Sequence, residues 1–101
     1  MGSIYKQSIP LAKASSATGE WNTYDIIYHQ PIFDENGQIN EKATITVLHN
    51  GVLVQHNFEL EGSTEYIGWP KYIAHGELPI KLQDHQDNSG VSFRNIWVRK
   101  L

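Results

Sequence analysis

The sequence predicts an all-β protein built as an antiparallel β-sandwich. Three observations carry that expectation. No stretch holds a helical apolar period of useful length, apolar and β-branched runs alternate with turn-forming residues, and Asn50-Gly51 lies between two of those runs. Strands separated by turns, with no helices between them, build sandwiches or barrels. The best helical candidate, residues 11–16, is short and runs into Ala17-Thr18-Gly19, so it reads as a loop with at most one turn.

Taken in order, residues 20–30 are rich in aromatic and β-branched side chains and stop at Pro31, which predicts a strand. Asp34-Glu35-Asn36-Gly37 is a turn signal. Residues 43–49 and 52–60 flank Asn50-Gly51. A type I′ turn needs positive φ at both central positions, and Asn-Gly supplies it, so these runs form a hairpin. A two-residue loop pairs His49 with Val52, Val47 with Val54, Ile45 with His56 and Ala43 with Phe58. That face is mostly apolar and should meet a core. The opposite face carries Thr44, Thr46, Leu48, Leu53, Gln55 and Asn57 and is more polar, as expected of one sandwich layer. Residues 61–76 form a long excursion with Gly62, Gly68, Trp69-Pro70 and Gly76. Residues 79–85 and 91–101 read as two further strands around a polar turn at 86–90.

With 101 residues, 40% of them apolar and 19% charged, the chain suits one globular domain spanning residues 1–101. A domain of this size buries a modest share of its surface, which makes oligomerisation a reasonable expectation. The net charge is −3 and the eight Lys and Arg residues are scattered, so no nucleic-acid footprint is present. No apolar run approaches membrane-spanning length. The start, Met1-Gly2-Ser3-Ile4-Tyr5-Lys6, has no signal-peptide core, so the protein is expected to stay where it is made unless an export signal lies outside this chain. The absence of cysteine excludes disulfides and thiolate chemistry and leaves the compartment open.

Five histidines are present, none at the helical spacing of a zinc hydrolase. His49 and His56 share a face in the register above but lie too far apart along it to share one ion. The ordinary place for each is a surface or half-buried site. Gln83 and His85 share a face at a strand end, where they can orient a sugar hydroxyl and His85 can act as a base near neutral pH. A solvated polar strand end is the bland alternative. Arg94 would share a face with Ile96 and Val98 and so needs a partner or a wet edge, while Asn95 and Trp97 share the other face with Phe93. Trp21, Tyr24, Tyr66, Trp69, Tyr72 and Trp97 are candidate stacking rings for a pyranose, with packing the more usual role for Trp21 and Trp97. No phosphate loop, nucleophile elbow or ordered Ser/His/Asp set occurs.

Five segments complete a pattern: Gly2-Ser3-Ile4-Tyr5-Lys6-Gln7, Gly19-Glu20-Trp21-Asn22-Thr23-Tyr24-Asp25-Ile26, His49-Asn50-Gly51-Val52, Leu82-Gln83-Asp84-His85 and Val91-Ser92-Phe93-Arg94-Asn95-Ile96-Trp97-Val98. In this order they resemble the 3-keto-disaccharide hydrolase domain family along nearly the whole chain. The resemblance implies a concanavalin A-like lectin/glucanase jelly roll that binds ligand on its concave face. It also implies action on 3-keto-glycosides. The ketone acidifies the C2 proton, a base removes it, the aglycone leaves from C1 and water adds.

On this resemblance His85 is the catalytic base or a metal ligand, Gln83 and Asn22 contact hydroxyl or enolate oxygens, Arg94 and Asn95 hold the site, and Trp69 is a stacking ring. The cofactor stays open, a divalent metal included, and no metal-ligand set is assigned. A periplasmic or extracellular place is implied.

The resemblance covers the C-terminal half of the family domain, and the usual opening strands are not in this chain. The expected architecture is therefore a partial sandwich, completed by a homodimer or by a separate N-terminal half, or rearranged as a shortened variant. A carbohydrate ligand is the expected partner, with no nucleic acid and no membrane. Two other readings are a non-catalytic carbohydrate-binding module and an assembly scaffold left by truncation.

Overall fold

The computed structural model describes residues 1–101. Five strands form, β1 (Tyr24–His29), β2 (Ile32–Phe33), β3 (Ile39–Glu41), β4 (Thr44–His49) and β5 (Val52–Glu59). They make a three-stranded antiparallel sheet in the order β1-β4-β5 and a separate β2-β3 hairpin. No helix forms, so the all-β class holds, and one sandwich layer is present. Residues 11–16 are irregular, as their brevity implied.

The β4-β5 turn has Asn50 at φ 51° and Gly51 at φ 77°, the two positive values a type I′ turn requires. The 34–37 turn also forms. The Asp34 carboxylate accepts from the backbone N–H groups of Asn36 and Gln38, both at 2.9 Å, and closes the β2-β3 hairpin as an Asx turn.

The β4-β5 register departs from the expected pairing. His49 meets Val52 as the turn dictates, but Val47 meets Gln55 rather than Val54, and Ile45 meets Phe58 rather than His56. Two irregularities each insert one extra residue in β5. At the first, Val54 and Gln55 both turn inward and are buried. At the second, Asn57 takes φ 43° and its N–H donates to Thr46 Oγ1 at 2.9 Å instead of to the ladder. The first bulge inverts the alternation and the second restores it, so Phe58 returns to the face of Ile45. A turn sets the pairs beside it, and a bulge placed further along overrides it.

The core is small, comprising Ala43, Val47, Val54, His49 and Gln55, with Pro31 beside β2. On β1, Tyr24, Ile26 and Tyr28 pair with His49, Val47 and Ile45 and extend the same face, yet all three stay exposed. The N-terminal segment crosses this face. Gly2 sits so close that an added Cβ would stand 3.4 Å from Val54 Cγ2, and Leu11 N donates to Val54 O at 2.8 Å. The Gln55 amide is satisfied there. It donates to Gly2 O (2.9 Å) and Ile9 O (3.2 Å) and accepts from Ser8 Oγ at 2.9 Å.

The strands expected over residues 79–85 and 91–101 do not form. From residue 72 onward the backbone makes no hydrogen bond to other backbone. Ile80, Leu82, Phe93, Ile96, Trp97 and Val98 are all exposed. A strand is stabilised by its neighbour, and this segment pairs with neither outer edge of the β1-β4-β5 sheet, so nothing holds it extended. The excursion after β5 is tied at its ends. Ser63 N donates to Lys71 O at 3.0 Å, while the Tyr72 hydroxyl accepts from Ala43 N at 3.0 Å and donates to Leu60 O.

Candidate functional site

Three places hold most of the side-chain chemistry. The first is a polar knot at the hairpin tip. Asn22 Oδ1 accepts from Ser16 N, His49 Nε2 and Asn50 Nδ2, each at 2.9 Å. An amide oxygen only accepts, so the network assigns the proton to His49 Nε2 and leaves Nδ1 facing Gly2. Asn50 Nδ2 also reaches Ala14 O at 2.7 Å, and its Oδ1 accepts from Thr23 N at 2.9 Å. The His49 ring is 1% exposed and stacks on Tyr24 with centroids 4.5 Å apart. Partial burial of the Tyr24 phenol pushes it above its usual range, opposed by a backbone hydrogen bond from Gly2. His49, expected at or near the surface, is a core residue. The cross-strand Tyr24 pair and the Asn22 amide make its burial affordable, and neither was legible before the β1-β4 register was known.

The second place lies where the N-terminal turn meets the loop after β5. Residues 4–8 form a tight turn, with Ile4 and Ser8 exchanging backbone hydrogen bonds and Lys6 at φ 60° on its apex. Lys6 Nζ donates to Glu65 O and Tyr66 O, both at 3.0 Å. Gln7 Nε2 donates to Thr64 Oγ1 (2.8 Å) and Gly62 O (3.1 Å), and Gln7 Oε1 accepts from Glu61 N at 2.9 Å. Thr64 Oγ1 in turn donates to Tyr5 O at 2.9 Å. Beside this seam is an open pocket of about 320 Å³ lined by Lys6, Thr64, Glu65, Gly68, Trp69 and Pro70. Of these residues sequence reasoning had singled out only Trp69. Thr64 carries no sequence signal, and Lys6, though it stands in the first family segment, has nothing there to place it beside Thr64, because the two meet across 58 positions through a turn whose shape depends on a positive φ.

The third place is the C-terminal stretch. Arg94 lies over the Trp21 ring, 3.9 Å from the ring centroid, while the strand that would have set it on one face with Ile96 and Val98 does not form. Asp84 Oδ1 accepts from Gln86 N at 3.1 Å. The Asp87 carboxyl is held below its usual range, chiefly by its hydrogen bonds with Ser89.

Of the six residues expected to form a site, the structure draws Asn22 into the knot with His49 and Asn50. It sets Arg94 against Trp21, one position before Asn22, and places Trp69 on the pocket wall. His85, Gln83 and Asn95 are exposed, and the side chains of all three are free of hydrogen bonds to the rest of the chain. No three or more His, Asp or Glu side chains gather where they would hold a metal ion. The donors present in this chain therefore do not make a metal cage. Trp97, given a packing role from its strand position, is 88% exposed because that strand is not formed.

Residues 1–99 match the family model described as the 3-keto-alpha-glucoside-1,2-lyase-like domain. Among solved structures, the chain is similar to that of a putative glycosyl hydrolase from Parabacteroides distasonis, with 51% sequence identity and a TM-score of 0.68. The match covers 71% of this chain and 30% of that one, so the chain spans under a third of its structural relative. No curated protein matches. The open antiparallel layer is consistent with part of the β-sandwich of that relative.

Proposed function

This chain belongs to the 3-keto-alpha-glucoside-1,2-lyase-like domain family, and from that premise we propose that it forms part of an enzyme that eliminates the aglycone from a 3-keto-glycoside and then hydrates the product. The family match over residues 1–99 carries this reading, and the likeness at 51% identity to a protein described as a putative glycosyl hydrolase supports a carbohydrate-active protein. In the proposed reaction a base takes the proton at C2, made acidic by the C3 ketone. The electron pair moves into the enolate, and the C1–O bond breaks with protonation of the leaving oxygen. His85 is the proposed base, and its exposure leaves it open to a substrate. Gln83 contacts a hydroxyl or the enolate oxygen. Arg94, braced on Trp21, holds the stretch around it, Asn95 contacts the substrate, and Trp69 stacks on a ring. Asn22 Oδ1 already serves three donors, so its contribution is to fix the Trp21 segment against which Arg94 rests.

His85→Ala is expected to lower turnover of a 3-keto-glucoside by about a hundredfold or more, the usual worth of a positioned general base. The check is release of the aglycone over time, and unchanged turnover by that variant overturns the assignment.

A second reading has its own observation. Since His85, Gln83 and Asn95 touch none of the other proposed residues, a non-catalytic sugar-binding or scaffold role also fits. Binding of a plain glucoside, with no exchange of the C2 proton of a keto-sugar, decides for that role.

The exposed Tyr24, Ile26, Tyr28, Phe93, Ile96 and Val98 call for a covering layer, proposed to be a second copy of the chain or a separate N-terminal half. Sedimentation at micromolar concentration is expected to show a dimer, and a monomer would remove the second copy from consideration.

A further inference from the structure

We propose that the pocket between the 4–8 turn and the loop after β5 binds one neutral pyranose ring, with Trp69 as the platform and Lys6, Thr64 and Glu65 as the polar rim. This rests on the carbohydrate reading above and adds a subsite to it. The lining contains none of His85, Gln83, Arg94 or Asn95.

The seam is built for position. Lys6 sits at φ 60°, a conformation that a residue with a long side chain adopts at a cost, and the surrounding hydrogen bonds hold it there. Two of the three ammonium hydrogens of Lys6 are committed to the carbonyls of Glu65 and Tyr66, which fixes the head at the pocket edge and leaves one donor free. Gln7 and Thr64 lock the loop to the turn, so the rim does not depend on a single contact.

The ligand class follows from the lining. Trp69 lines the pocket beside Pro70 and is 91% exposed, so its indole is free to meet the apolar face of a sugar ring. The rim has one cation, Lys6, and one carboxylate, Glu65, together with the Thr64 oxygen, whose hydrogen is given to Tyr5 O and which can still accept. The balance of one positive and one negative charge disfavours an anion such as a phosphate. It suits a neutral molecule with hydroxyls that both donate and accept. The volume, about 320 Å³, is at the small end of ligand pockets and fits a single ring.

The test is a ligand-observed NMR titration of the full chain with the α- and β-methyl glucopyranosides, alongside turnover of a 3-keto-glucoside. Saturable binding is expected, weakened at least about tenfold by Trp69→Ala and largely retained by Trp69→Phe. Lys6→Met should weaken it about threefold through the lost donor, while Lys13→Met, which removes a charge outside the pocket, should leave it unchanged. The proposal is overturned if neither glucoside shows saturable binding, or if Trp69→Ala binds as the unaltered chain does. Binding that depends on Trp69 without turnover keeps the subsite and removes the enzyme reading. Turnover whose KM ignores Trp69 keeps the enzyme and removes the subsite.

Discussion

Replacing Gly62 with alanine is expected to detach the loop after β5 from the N-terminal turn. An added Cβ at Gly62 would stand 2.2 Å from the Lys71 carbonyl carbon and 2.3 Å from its oxygen. Those atoms are backbone, and no flexible side chain can give way. The residue also sits at φ 122°, which L residues avoid. Strain of that kind costs about 1–3 kcal/mol even where space is free. With the clash added, the loss should reach about 3 kcal/mol or more, enough to break the Ser63–Lys71 bridge and the Gln7 contact to Gly62 O rather than compress them. Gly19 is the control. It has φ 86° and nothing within 4 Å of an added Cβ, so alanine there should cost only about 1 kcal/mol. Hydrogen exchange at the amides of residues 61–71 reads the difference. Equal protection in the two variants would show that the close approach to Lys71 contributes nothing. Because the loop carries Thr64, Glu65 and Trp69, the Gly62 variant should also lose whatever the pocket binds.

The second large effect is at His49. His49→Ala removes a ring that is 1% exposed and stacked on Tyr24, and it should cost about 3 kcal/mol through the cavity and the lost stack. The hydrogen bond to Asn22 is the smaller share. Asn22 Oδ1 keeps two other donors, Ser16 N and Asn50 Nδ2, so no buried acceptor is orphaned. His49→Phe should therefore cost only about 1 kcal/mol, since the ring remains and one donor is lost. Urea midpoints of the two variants decide the matter. A phenylalanine variant less stable than the alanine one would mean that the polar knot, and not the packing, holds the hairpin tip to the 14–24 segment. In a protein whose whole margin is about 5–15 kcal/mol, with few fully buried side chains, either outcome is a large fraction of stability.

Several elements were legible residue by residue because their causes are local. The Asn50-Gly51 turn and the Asp34 turn need only φ preference and a short side chain. Pro31 ends the run that contains β1 because it has no N–H to give. The hairpin does not keep the register of its turn for its whole length. Gln55 is polar and period 2 sends it outward. It is buried because the first bulge turns it toward Gly2 O and Ile9 O, acceptors 53 and 46 residues away in sequence. The C-terminal segments erred in the opposite direction. Their alternation is strand-like, but alternation states what a strand would bury and not which neighbour it pairs with.

For the candidate site the same division applies. The aromatic and amide residues of the family signatures are visible in the chain, and so is the family itself. Which of them meet is a matter of tertiary structure. Arg94 finds Trp21 across 73 positions and Asn22 finds His49 across 27, while Lys6 reaches the loop carbonyls across 59.

By itself the sequence determined the all-β class, the two tight turns and the family. Each of these rests on residue type at adjacent positions or on identity along the chain. Only the tertiary structure decided the bulged register, the burial of His49 and Gln55, and the pocket beside Trp69. Each of those depends on hydrogen-bond partners that distant segments bring, and no local preference specifies where a distant carbonyl will be.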